Sequence, residues 1–115
     1  MKTILVVLLF LTIIPPAAWS QDPETVEASF TAAGSCGMCK ARIEKALKFE
    51  GVSEARWDKR AHRVTVEFLS PPLTLDSLQR RVAAVGHDTE AYKAADSVYA
   101  SLPDCCLYRT SKKNH

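Results

Sequence analysis

The chain has 115 residues, with 15 Lys and Arg against 13 Asp and Glu and 47% hydrophobic side chains. A formal charge of +2 carries no blanket attraction for nucleic acid, and the length leaves room for one compact domain with a modest core. Four cysteines in so short a chain leave metal binding, redox chemistry and disulfide stapling as the classes to separate.

The first 20 residues read apart from the rest. One Lys, an apolar run from Ile4 to Ile14, Pro15-Pro16 and then Ala18-Trp19-Ser20 have the form of a secretory signal peptide, with the cut after Ser20. That run is far shorter than the roughly 20 residues a bilayer crossing needs. No Cys follows it to carry a lipid. The expected product is therefore exported, periplasmic or secreted, with no membrane span after cleavage. Removing Lys2 with the leader leaves 14 basic and 13 acidic side chains, close to neutrality.

In "TVEASFTA", Val26, Ala28 and Phe30 alternate with Glu27, Ser29 and Thr31, which predicts a half-buried strand. "GSCG" breaks it. "MCKARIEKALKFE" then puts Cys39, Ile43, Ala46 and Leu47 on one helical face, with Gly51 past the last turn. "VSEARWD" and "HRVTVEFL" predict two further strands, the first with Ser53, Ala55 and Trp57 on one side, the second with Val64, Val66 and Phe68. The polar "DKRA" between them reads as a hairpin turn. In "TLDSLQRRVAAVG", Thr74 is a good N-cap, Leu75, Leu78, Val82 and Val85 form an apolar stripe, and Gly86 ends the helix. "DTEAY" is a short candidate strand, "AADSVYASLP" a helical turn or two, and "RTSKKNH" a disordered polar tail.

This order, β-α-β-β-α-β, predicts an α+β, ferredoxin-like sandwich with a C-terminal helical appendage bearing Cys105-Cys106. The expected organisation is a signal peptide over 1–20, a domain over 21–93 and an extension over 94–115. Cys36-x-x-Cys39 falls between the first strand and the first helix, where it can hold a metal, shuttle a disulfide or staple the fold.

The stretch "GSCGMCKARIEKAL", the "GV" opening the second strand and "AVGHDTEAY" together resemble the heavy-metal-associated domain over roughly residues 24–93. That family includes copper chaperones, N-terminal domains of metal-pumping ATPases and the periplasmic mercuric-ion-binding protein. The resemblance implies that Cys36 and Cys39 are metal ligands and that the chain is not an enzyme. Two departures stand out. Gly34 occupies the place where the family usually carries a Met that packs beneath the loop, and "LPDCC" has no counterpart in the basic domain.

The residues suit such a role. Thiolates select soft ions such as Cu(I), and a helix N-terminus with Lys40 nearby favours thiolate over thiol. Two ligands suit Cu(I) or Hg(II), whereas a structural Zn(II) site needs four. Cys105 and Cys106 are candidates to complete such a set, or to form a long-range disulfide with the CxxC; a bond between the two neighbours themselves would be strained. His87 is a candidate third ligand or supporting donor, and Met38 between the two Cys is expected to point outward or pack. Lys40, Arg42, Lys45 and Lys48 read as a solvated face or as a docking surface for an acidic metal-transport partner, donor or acceptor. A metal-bridged dimer through exposed loops is a further expectation. The competing reading from another class is a thiol-disulfide oxidoreductase, since "CGMC" at a helix start also resembles a thioredoxin-type motif. Only one strand precedes it here, whereas that fold usually places more β-α-β structure ahead and a cis-proline loop behind; the only mid-chain prolines, Pro71-Pro72, lie in the connection between the third strand and second helix.

Overall fold

A computed structural model of the chain describes residues 22–109; the signal-peptide reading of residues 1–20 lies outside them. Strand β1 (Glu24–Thr31) leads into helix α1 (Gly37–Ala46), then β2 (Val52–Asp58), β3 (Arg63–Ser70), α2 (Leu75–Ala84), the short α3 (Asp96–Ala100) and a 3-10 turn at Asp104–Cys106. The strands form one antiparallel sheet in the order β1-β3-β2. The architecture is α+β and ferredoxin-like, with α1 and α2 covering one face of the sheet.

Alternation in the strands decides that face. Phe30 of β1, Trp57 of β2, and Val64, Val66 and Phe68 of β3 are buried beneath Ile43 of α1, Leu47 just past its end, and Leu78 and Val82 of α2. Each such side chain contributes about 1.5–3 kcal/mol relative to exposure. A register shift between Val52 and Glu54 turns Ser53 outward and packs Val52 against the core. Ser53, expected on the side of Trp57, is thus exposed, and its hydroxyl donates to the Glu67 carbonyl (3.2 Å). At the hairpin, the Asp58 carboxylate accepts from the amides of Arg60 and Ala61, which supplies the turn without an Asn-Gly pair.

Two elements differ from the sequence expectation. Helix α1 stops a turn early, at Ala46 with Leu47 as C-cap, and Gly51 (φ 97°) serves the turn into β2 instead. The fourth strand shrinks to one antiparallel bridge, Ala32 with Thr89, on the free edge of β1. Thr89 Oγ1 accepts from the Tyr92 amide and Gln79 Oε1 from the Ala91 amide, so local side-chain bonds take the groups a longer ladder would use. Helix α2 matches its reading: Thr74 and Ser77 form a reciprocal capping box, and Gly86 follows at φ 107°.

The extension is docked onto the domain. Tyr99, Leu102, Cys106 and Tyr108 are buried in the common core. Gly86 makes room for it, since a Cβ there would lie 3.0 Å from Leu102 Cδ2. Arg109, expected as the first residue of a loose tail, is clamped: it donates to both carboxylate oxygens of Asp88, to Asp96 and to the Ala94 carbonyl, and lies 4.2 Å over the Tyr99 ring. The Tyr108 hydroxyl donates to the Gly86 carbonyl (2.7 Å) and accepts from the Asp88 amide (2.9 Å). Burial pushes this phenol up to about 12. Among the described residues no helix is long and apolar enough to cross a membrane.

Candidate metal centre

Cys36 is the N-cap of α1, in an extended conformation (φ −146°), and its carbonyl accepts the Lys40 amide. Cys39 lies in the first turn and points into the core with no exposure. No acidic residue occupies that first turn, so the positive end of the helix faces the sulfurs alone. Their separation is 3.4 Å.

The extension returns to this spot. Cys106 Sγ lies 3.4 Å from Cys36 Sγ, and the sulfurs of Cys36, Cys39 and Cys106 all fall within 4.8 Å of one another. Cys105 approaches from the solvent side, 3.2 Å from Cys36 and 3.8 Å from Cys106. All four are free thiols. A tetrahedral site with metal–sulfur bonds of about 2.3 Å has sulfurs about 3.8 Å apart, so these contacts are of metal-site dimensions. The Ser35 hydroxyl holds the Cys105 carbonyl, and its amide donates to Cys39 Sγ at 3.4 Å.

The thiols are electrostatically unequal. Burial raises the Cys36 thiol, but Cys105, the Cys39 amide, Cys106 and the Cys39 thiol outweigh it and bring it down to about 6. Burial pushes Cys39 up to about 11, helped by Cys106. Cys105 is raised by the Cys36 sulfur it faces, and Cys106 by burial. One thiolate at Cys36 therefore sits among three thiols near neutral pH. Arg42 stands beside Cys106, with Nη1 donating to its Sγ at 3.3 Å and opposing the rise that burial gives that thiol. Read from sequence as surface charge, Arg42 is in the cluster wall.

Other expected residues are placed differently from one another. His87 is fully buried and lies outside the sulfur triad; its Nδ1 is 2.8 Å from the Ala33 carbonyl at the start of the metal loop. Nδ1 is thereby the protonated nitrogen, burial lowers the ring's pKa, and Nε2 has no hydrogen-bond partner among the described residues. Met38 points outward (52% exposed), yet its Sδ is 3.4 Å from Cys105 Sγ. Lys40 is engaged by Glu44 (2.6 Å) and the Trp57 carbonyl (3.1 Å) rather than by a sulfur.

Comparison with known proteins gives the family. The family model described as the heavy-metal-associated domain matches residues 33–88. Among solved structures, the N-terminal domain of a potential copper-translocating P-type ATPase from Bacillus subtilis is 32% identical, with a TM-score of 0.54, over 65% of this chain and 96% of that one. The chain belongs to the heavy-metal-associated domain family. Its fold is also that of the CopZ metallochaperone (24% identical, TM-score 0.53, 56% of this chain and 98% of that one). It is shared too by oxidised MerP from Ralstonia metallidurans CH34 (23%, TM-score 0.54, 58% and 96%). No curated protein sequence matches the chain.

Within this heavy-metal-associated domain, the Trp57 indole packs against Gly34 of the metal loop. A Cβ on Gly34 would lie 2.9 Å from Trp57 Cζ2 and 3.1 Å from Cys39 Cβ. The indole thus fills the space beneath the loop, and its Nε1 donates to the Ala32 carbonyl at 2.9 Å.

Proposed function

We propose that this domain binds Cu(I) through Cys36 and Cys39 with Cys106 as a third thiolate, Cys105 lying alongside, and hands the ion to a metal-transport partner in an exported compartment. The convergence of the three sulfurs within 4.8 Å at the start of α1 carries this reading. An all-sulfur donor set favours a soft monovalent ion over hard cations. The resemblance, at 32% identity, to the Bacillus subtilis ATPase domain, whose structure is of the Cu(I)-loaded state, points to the same ion. Hg(II) shares the donor preference, and Zn(II) would need all four thiolates. The role is that of a carrier, not an enzyme. Export through residues 1–20 places four thiols in oxidising surroundings, where bound metal protects them.

Transfer by ligand exchange needs an accessible edge. Cys105 is exposed and Cys36 partly so, whereas Cys39 and Cys106 are buried. An incoming thiolate meets the outer pair first. Arg42 beside Cys106 offsets part of the negative charge that several thiolates and one monovalent ion leave behind.

The test is anaerobic competition of the reduced protein against a chromophoric Cu(I) chelator, with Cys36→Ser/Cys39→Ser as the variant. Tight binding lost in the double variant is the expected result. Retention of the same affinity would overturn the assignment. Turnover in an insulin-reduction assay, absent tight Cu(I) binding, would replace it with the oxidoreductase reading.

A further inference from the structure

Five sulfur atoms meet at the start of α1, more than one Cu(I) uses. Cys36 Sγ is the hub, 3.4 Å from Cys39, 3.4 Å from Cys106 and 3.2 Å from Cys105. On the inner side, Cys36, Cys39 and Cys106 form the buried triad. On the outer side, Cys36, Cys105 and Met38 form a second row, since Met38 Sδ lies 3.4 Å from Cys105 Sγ. We propose that the cluster holds two Cu(I) ions per chain, the inner one on Cys36, Cys39 and Cys106 and the outer one on Cys36, Cys105 and Met38, with the Cys36 sulfur bridging them. This rests on the Cu(I) reading above and deepens it.

Three observations carry the second site. First, Met38 is half exposed and adds little to the core, yet its sulfur is directed at the one exposed cysteine. A thioether is a neutral soft donor that suits Cu(I) and adds no charge. Second, a thiolate sulfur has lone pairs for two soft ions, and Cys36 lies within 3.4 Å of each of the other three thiols of the cluster. Third, charge does not oppose the fuller site. Three thiolates around one monovalent ion leave two negative charges, and a fourth thiolate arriving with a second ion leaves the same two, beside Arg42. Each thiol that ligates releases its proton to solvent, and no electron moves.

The measurement is an anaerobic Cu(I) titration of the reduced full chain, with metal and protein quantified after desalting and oligomeric state followed by gel filtration. The expected result is two ions per monomer in the parent and one in both Met38→Leu and Cys105→Ser. X-ray absorption should show a copper–copper vector only past the first equivalent. One ion per chain in the parent overturns the second site and leaves the proposed function standing, as does a second ion found only in a dimer. Two ions retained in both variants overturns the ligand assignment. A chain that binds no Cu(I) at all sinks the functional reading itself. Met38 is exposed, so its substitution tests the ligand without endangering the fold.

Discussion

Replacing Arg109 with Met keeps an unbranched stem over Tyr99 and deletes the charge that ties residues 94–109 to the domain. The guanidinium donates to Asp88 at 2.6 and 3.1 Å, to Asp96 at 3.0 Å and to the Ala94 carbonyl at 2.8 Å. Asp96 is 88% exposed, so that pair adds next to nothing. The Asp88 pair is 20% and 26% exposed, between the surface case and the buried case in which removing one partner costs about 3–5 kcal/mol. Discounting for the water that still reaches it gives a loss of about 2–3 kcal/mol. That multiplies the undocked population by about 30–150. Native-state hydrogen exchange should show the amides of Cys106, Leu107 and Arg109 losing protection by that factor, while β3 and α2 keep theirs. Alkylation of the buried Cys106 should accelerate alongside. Cu(I) affinity should fall by no more than the same factor, because only the docked form offers the third thiolate. Unchanged protection at Cys106 would refute the claim that Arg109 holds the extension on the metal loop.

Three further outcomes follow from other parts of the molecule. Alkylation of the reduced, metal-free chain at Cys36 should rise with a midpoint near 6, while Cys39, pushed up to about 11, stays unreacted at neutral pH; Cys105→Ser should move the Cys36 midpoint upward, and peptide mass spectrometry against pH reads both. Gly34→Ala should destabilise by about 1–3 kcal/mol in urea unfolding, because the new methyl meets a rigid indole at 2.9 Å; an unchanged midpoint would mean that the loop shifts aside freely. Glu67 pairs across the sheet with both Glu27 and Glu54, so Glu67→Gln should stabilise by about 0.2–1 kcal/mol at low salt. High salt should shrink that gain, and a gain indifferent to salt would point away from charge repulsion.

The strands, both major helices and the CxxC at the start of α1 were legible because each rests on local pattern: alternation around Phe30 and Val66, the Thr74 cap, Gly86 past the end of α2. The early stop of α1 and the loss of the fourth strand were less so, since both depend on side-chain bonds competing with regular ladders around Leu47 and Thr89. The site divides along the same line. Cys36 and Cys39 are three residues apart and adjoin in any helical start, whereas Cys105 and Cys106 return across 65 intervening residues. That return is set by Tyr108 on Gly86 and Arg109 on Asp88, pairs that no periodicity announces. Arg42 and Met38 looked like surface because their neighbours in sequence are surface; only the docked extension turns them toward sulfur.

Trp57 gives the domain an optical reporter of its own cargo. The sequence has two tryptophans, and the other, Trp19, falls within the proposed leader. In the processed chain all indole emission would then come from a ring pressed between the sheet and the metal loop, with Gly34 as spacer to the Cys39 side chain. Any ion that enters the sulfur cluster does so beside this chromophore. Loading, release and transfer between molecules can therefore be followed by intrinsic fluorescence, with no dye attached to the thiols under study.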